Sequence, residues 1–242
     1  MMVSEGEQGL LTNSSDEFTT VAAHELKSPL ALIRQLALSL DAGVLQGEEA
    51  RRAIHQIILV SERALRLTTN LSKMSRLEDS FFDIVPLNPQ QLCEEAVHEL
   101  APLYSAKGRS IKVTSTYRKR QLALANHDLL RRIILNFGDN ALHYAASNQP
   151  VEVHWCLREH GRRVRIGVRD YGPALPAEVW RRLQSQLGEV QRLHSRPESS
   201  GLGLYVSHQF AEVMNGTVGA IRHRDGVTFY VDIDTSSQLS LL

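Results

Sequence analysis

The chain has 242 residues, enough for one large or two modest domains, and 43% of them are apolar, as a protein with a real core requires. Lys plus Arg and Asp plus Glu each total 27, so no net charge advertises nucleic acid or an anionic membrane as partner. No run approaches the ~20 apolar residues of a membrane span, and Met1 to Asp16 is polar, without the basic-then-apolar order of a signal peptide.

Asn13 to Asp16 offers four good N-caps for a helix over Phe18 to Leu40. Phe18, Ala22, Leu26, Leu30, Ile33, Ala37 and Leu40 form one apolar stripe along it. His24 lies off that stripe and turns to the far side, with Glu25 beside it and Pro29 about one turn later. The helix is expected to end near Asp41, where Gly43 and Gly47 mark a loop. A second helix begins at Glu48, with Ile54, Ile58, Ser61, Leu65, Thr68 and Leu71 as a helix-packing seam. One helical hairpin cannot bury two such stripes, so the pattern predicts a second copy and a dimeric four-helix bundle.

Glu78 to Asn88, with two phenylalanines and Pro86, reads as a linker running into an edge strand. A helix is then expected from Pro89 and Leu92 to Ala106, strands over Ile111–Tyr117 and Gln121–Ala125, and a helix from Asn126 to about Ser147. Two strands follow, Val151–Arg158 and Arg163–Asp170, turning at Gly161. Pro173 to Ser200 is irregular around a helix near Glu178–Gln186, Gly203–Met214 is helical, and Thr217–Arg222 and Val227–Ile233 form a hairpin about Asp225-Gly226. This order predicts an α+β protein: the helical hairpin, then an α/β sandwich with one mixed or antiparallel sheet and helices on one face. Cys93 and Cys156 match no metal spacing and no disulfide framework, which points to buried thiols in a reducing cytoplasm.

Three clusters carry chemistry. Asn136 and Asn140 stand one helical turn apart beside a core stripe. Aligned amides there suit a polar ligand or a hydrated metal, and an amide oxygen is a hard ligand for Mg²⁺. Asp170-Tyr-Gly172 ends an apolar strand, where a carboxylate can accept from an exocyclic amine such as adenine's while the glycine lets the backbone approach the ring. Ser199-Ser200-Gly201-Leu202-Gly203-Leu204 leads into a helix whose N-terminal N–H groups can cradle phosphate. The glycine spacing fits neither the dinucleotide fingerprint nor the P-loop.

In this order the motifs resemble those of the histidine protein kinases of two-component signalling, over residues 16 to 234. His24 to Leu30 resembles the phosphoacceptor motif, Asn136 to Tyr144 the asparagine motif, Asp170-x-Gly172 the first glycine motif and Ser200 to Leu204 the second. The resemblance implies that His24 attacks the γ-phosphate of ATP with Glu25 as base or orienter, and that Asn140 holds Mg²⁺ while Asn136 assists at the phosphates. It implies further that His143 and Tyr144 line the nucleotide, that Asp170 takes the adenine amine with Gly172 packed close, and that Gly201 and Gly203 receive the phosphates, with Leu202 and Leu204 also in the nucleotide-binding motif. Arg192 and Arg196 are candidate phosphate contacts in a lid.

The departures are specific. His143 replaces a frequent lysine, which predicts a weaker or pH-dependent phosphate contact, while Ala174 replaces a second glycine and Ser199 the opening glycine of the second motif, which predicts a stiffer site. The lid phenylalanine has no obvious counterpart beyond Trp180 or Leu183, and Ser28 stands where relatives with phosphatase activity carry threonine or asparagine.

The implied organisation is a tail (1–15), a dimerisation and histidine-phosphotransfer hairpin (16–77), a linker (78–88), an ATP-binding catalytic domain (89–235) and a C-terminal tail (236–242). The implied activity is ATP-dependent phosphorylation of His24 in a homodimer and transfer to an aspartate of a response-regulator receiver domain. The input signal would come from a separate sensory partner or from a longer chain. Two alternatives share these motifs: an ATPase related to gyrase, heat-shock and mismatch-repair proteins, and a catalytically impaired dimeric scaffold that binds a receiver.

Overall fold

Glycine and proline punctuate the chain where its periodicity changes, and the computed structural model follows that punctuation. It describes residues 22–23, 26–74, 82–114, 121–144, 149–185 and 202–237, in two units, residues 1–78 and 79–242.

In the first unit α1 runs over 26–41 and contains Pro29. It ends in a Schellman motif: Gly43, at φ +66°, donates its N–H to Leu40 O (3.0 Å) and Val44 donates to Ser39 O (3.0 Å). The short connection returns the chain as α2 (Gly47–Met74), whose first turn carries Glu48 and Glu49 at the positive end of the helix dipole. The buried positions of α2 include Ala53 and Ala64, three turns apart on one face. On the expected seam Ser61 and Thr68 donate to Ile57 O and Ala64 O of their own helix, both at 2.8 Å, so neither hydroxyl seeks a partner outside. Ile54 (51% exposed), Ile58 (49%) and Leu65 (67%) face outward, as does Leu30 (58%) of α1.

The second unit begins with β1 (Val85–Leu87) and α3 (Pro89–Ala106). Pro89 enters α3 where no backbone donor is needed, and the Asn88 side chain accepts from Gln90 N at 3.0 Å. After β2 (Ile111–Val113) and β3 (Ala123–Ala125) comes α4 (His127–Tyr144), capped by Asn126, which accepts from Leu129 N at 3.1 Å. β4 (Val151–Arg158) and β5 (Arg163–Arg169) turn through Glu159–Gly161, then follow α5 (Ala177–Ser185), α6 (Leu202–Val213), β6 (Thr217–His223) and β7 (Gly226–Asp234).

Five strands form one mixed sheet in the order β2-β4-β5-β7-β6, with β2 parallel to β4 and the other pairs antiparallel. Alternation buries Val151, Val153 and Trp155 of β4, Val164, Ile166 and Val168 of β5, and Phe229, Val231 and Ile233 of β7. α3, α4 and α6 pack against the sheet. Trp155 Nε1–H donates to Gln90 Oε1 (2.9 Å), pinning β4 to the start of α3. The opposite face of the sheet is polar: Arg165 makes a two-pronged pair with Asp232 (2.7 and 2.6 Å) and lies 3.5 Å above the Tyr230 ring.

The single sheet expected from the sequence is corrected here. β1 and β3 form a separate antiparallel pair, with Pro86 opposite Leu124. Proline has no N–H for a ladder and is tolerated in a short two-stranded edge pair. Cys93 is fully buried, and burial pushes its pKa up to about 12. Cys156 is only half-buried, contrary to expectation, because the two-residue period of β4 turns it to the polar face. Among the described residues no helix is long and apolar enough to cross a membrane.

Candidate active site

Asp170 follows β5 in phase with Val164, Ile166 and Val168, so it inherits their helix-facing side and is 4% exposed. Its N–H donates to Val227 O (3.0 Å), and Val227 N–H donates to its Oδ1 (2.9 Å). Among the described residues no bond reaches Oδ2, which leaves that oxygen to a ligand's donor. Burial pushes the Asp170 pKa above the usual carboxylate range; the Val227 N–H and the Arg169 guanidinium pull it back, and Asp225 raises it. Two residues on, Gly172 N–H donates to Asp225 O (3.0 Å), so the first glycine motif is tied at both ends to the β6–β7 turn.

α4 supplies the amides. Asn136 Nδ2 donates to Ser207 Oγ (3.1 Å) and to Gly203 O (3.3 Å), and Ser207 Oγ–H donates to Gly203 O (2.7 Å). The first asparagine thus straps α4 to the opening turn of α6. Asn140, one turn later and half-buried, has no side-chain partner among the described residues, and its amide oxygen is free to act as a ligand. Gly138 lies between them because a Cβ there would come within 2.3 Å of Leu100 Cδ1, and Tyr104 O–H donates to Gly138 O (2.7 Å). Phe137 stacks on Phe229 with centroids 5.9 Å apart, joining α4 to β7 beside Asp170.

α6 opens at Leu202, whose side chain is fully buried, as is most of Leu204. Any role these two leucines have toward a ligand therefore belongs to their backbone, while their side chains anchor the helix. Gly203 is half-buried, and a Cβ there would stand 4.0 Å from Asn136 Cβ. The N-terminal end of α6 carries the positive end of the helix dipole, an arrangement suited to phosphate.

His24, Glu25, Gly201, Arg192 and Arg196 lie outside the described residues. His143 and Tyr144 form the end of α4, with their side chains outside the description. Ser28 is exposed on α1. In α5, Trp180 is half-buried and Leu183 is buried, so Leu183 is a packing residue.

Among the described residues no group of three or more His, Cys, Asp or Glu side chains could hold a metal by themselves. Mg²⁺ fits nonetheless, because it takes one or two protein ligands and completes its shell with water and phosphate oxygens. The Asn140 amide oxygen, without a side-chain partner among the described residues, is a donor of the type such an ion takes. Sequence reasoning missed Tyr104, Gly138, Ser207, Arg169 and Gly226. An Asp-Gly turn was visible at 225–226, but nothing local indicated that it abuts Asp170.

Comparison with known proteins gives the same order of parts. Residues 14–80 match the His Kinase A (phospho-acceptor) domain, and residues 125–237 match the family described as histidine kinase-, DNA gyrase B-, and HSP90-like ATPase. The chain is 25% identical over 226 residues to the adaptive-response sensory kinase SasA of Prochlorococcus marinus, covering 91% of this chain and 57% of that protein. It is 26% identical over 207 residues to the sensor-like histidine kinase SenX3 of Mycolicibacterium smegmatis, covering 84% and 52%. The chain thus spans about half the length of these curated relatives. Among solved structures, histidine kinase ThkA in complex with response regulator protein TrrA superposes with a TM-score of 0.65 at 16% identity, over 96% of this chain and 64% of that one. Full-length ShkA in complex with AMPPNP gives 0.61 at 19% identity, over 93% and 47%. With a phosphoacceptor-type helical hairpin followed by this nucleotide-type sandwich, the chain belongs to the two-component histidine kinases and comprises their catalytic core.

Proposed function

We propose that this chain is an ATP-dependent protein-histidine kinase, with residues 16–77 as its phosphoacceptor and dimerisation hairpin and 89–235 as its ATP-binding domain. One observation carries the reading above the family match. Among the described residues Asp170 keeps one carboxylate oxygen uncommitted on the helix side of the sheet, and the Asn136–Gly203–Ser207 strap joins the asparagine motif to the α6 N-terminus. Adenine at Asp170 and phosphates at α6 and Asn140 use each of these groups.

An imidazole nitrogen of His24 attacks the γ-phosphorus; a P–N bond forms as the bond to the β-phosphate oxygen breaks, and ADP departs. Glu25 accepts or orients the imidazole proton. Asn140 would hold Mg²⁺, which when bound would supply neutralisation of phosphate charge. Gly203 and its neighbours offer N–H groups to the phosphate oxygens, and Asp170 holds the base so that attack is in line. The aspartate of a response-regulator receiver then attacks phosphorus, the P–N bond breaks, and the imidazole is restored.

For the receiver, α1 offers its exposed residues Lys27, Ser28, Ala31 and Gln35, off the Leu26–Leu30 stripe. The exposed seam of Ile54, Ile58 and Leu65 supports a homodimer. Use of Mg-ATP and two free thiols fit a cytoplasmic setting, and a separate sensory partner or further chain would supply the signal.

The test is incubation with γ-labelled Mg-ATP, wild type beside His24→Gln and Asn140→Asp. Acid-labile, base-stable label lost in both variants is the expected result. Label surviving His24→Gln moves the acceptor elsewhere. Nucleotide hydrolysis without label favours the ATPase, and neither label nor nucleotide binding favours the scaffold.

A further inference from the structure

We propose that Arg169 and Asp225 are positioning residues that set purine discrimination by holding the Asp170 carboxylate against the β6–β7 turn. The proposal rests on the reading of Asp170 as acceptor for the adenine amine and extends it to a device on the other side of the sheet.

Strand alternation separates the two neighbours: Asp170 faces the helices, and Arg169 faces the polar side. There the Arg169 guanidinium lies 4.5 Å above the Tyr171 ring, donates through Nη1 to Asp170 O, and donates through Nη2 to Asp225 Oδ1. The Arg169 side chain is 11% exposed, whereas that of Asp225 is 65% exposed. Tyr171 is itself fixed, its O–H donating to Glu152 Oε2 (3.0 Å), while the other carboxylate oxygen of Glu152, Oε1, pairs with Lys112 Nζ (3.3 Å). The guanidinium is thus enclosed between a held ring and the turn.

What the turn does depends on how close it comes. Gly226, at φ +131°, has no side chain, and a Cβ there would stand 2.4 Å from both Asp170 O and Asp170 Oδ1. The next residue, Val227, donates the N–H that orients Oδ1. The Arg169–Asp225 bond closes this turn onto the strand end from the polar side. Without it the turn keeps its backbone bonds to Asp170 and Gly172 but loses the side-chain clamp on its tip, and the Val227 N–H is held less closely against Oδ1. The carboxylate then gains rotational freedom, and Oδ2 no longer has one fixed direction. Asn140 and the α6 N-terminus stand on other elements, so the phosphate contacts are spared. The loss falls on the one bond between Oδ2 and the exocyclic amine. The same fixed oxygen repels guanine, which presents a carbonyl oxygen at that position.

The experiment is calorimetric titration of the full chain with Mg-bound ATP, GTP and purine riboside triphosphate, which lacks the amine. Wild type is expected to prefer ATP over the amine-less analogue by about tenfold. In Arg169→Met and Asp225→Ala that ratio is expected to fall to about two- to threefold. Affinity for the analogue should stay within about twofold and rejection of GTP should relax in step. Asp225→Asn, which keeps an acceptor for Arg169, should lie between. A ratio unchanged in both variants overturns the proposal, as does an equal loss for all three nucleotides. If wild type itself does not distinguish ATP from the analogue, the reading of Asp170 fails instead.

Discussion

At the scale of single residues, Asp170 concentrates the physics of the site. Burial raises its pKa, so the empty protein favours the neutral acid more than water does, while an adenine amine needs the carboxylate as acceptor. At pH near or below the raised value, binding therefore releases a proton. ATP affinity is expected to weaken as pH falls through the raised value, beginning above the ordinary carboxylate range, and Asp170→Asn should flatten that dependence in a pH series of titrations. Folding has the opposite sign. The stability contributed by the raised value is present at low pH and is lost as pH rises through it. Gly138 offers a second test, since Gly138→Ala drives a Cβ to within 2.3 Å of the fully buried Leu100. Overpacking of this kind costs roughly 1–3 kcal/mol, measurable by urea unfolding. Asp170, Gly172, Asn136 and Asn140 could be singled out in the sequence because each belongs to a local pattern with a chemical rationale. Arg169 could not be connected to Asp225, because 56 residues separate them and the pairing exists only through the β5–β7 register. Ser207 was invisible for the same reason: a serine inside an apolar helix carries no sign that Asn136 will donate to it.

At the scale of elements, the punctuation was the legible part. Gly43 marks the end of α1, and the Schellman bonds show why: φ +66° is open to glycine and strained for other residues. Gly43→Ala should destabilise the helical hairpin by about 1 kcal/mol in denaturant titration. Asn88-Pro89 and Asn126 predict the starts of α3 and α4, and both asparagines cap. The weaker points were the short strands. β1 and β3 have three residues each, and nothing within three residues says which sheet they join. That is decided by what lies opposite, here Pro86 against Leu124, with Ala123 also bridging Thr235 near the end of the unit.

At the scale of the whole molecule, the apolar surface of the first unit matters most. Ile54, Ile58 and Leu65 recur at helical spacing and remain about half exposed or more, which is costly for a surface that stays in water. A Leu65→Glu, Ile58→Glu pair should turn the proposed dimer into monomer in sedimentation velocity, with loss of any phosphotransfer that needs both copies. A dimer unaffected by two charges would remove that role from the seam. Composition, caps and hydrophobic period, all properties of neighbouring residues, determined by themselves the two-part organisation, the helices and the order of the chemical motifs. They could do so because helix period and turn chemistry act over a few residues. Only the tertiary structure decided that Asn136 straps α6 through Ser207 and that the β6–β7 turn orients Asp170. It also decided that β1 and β3 stand apart from the main sheet. Those choices come from strand register and close approach between distant segments, where an added Cβ would stand 2.4 Å from Asp170 at Gly226 and 2.3 Å from Leu100 at Gly138, and no local pattern encodes them.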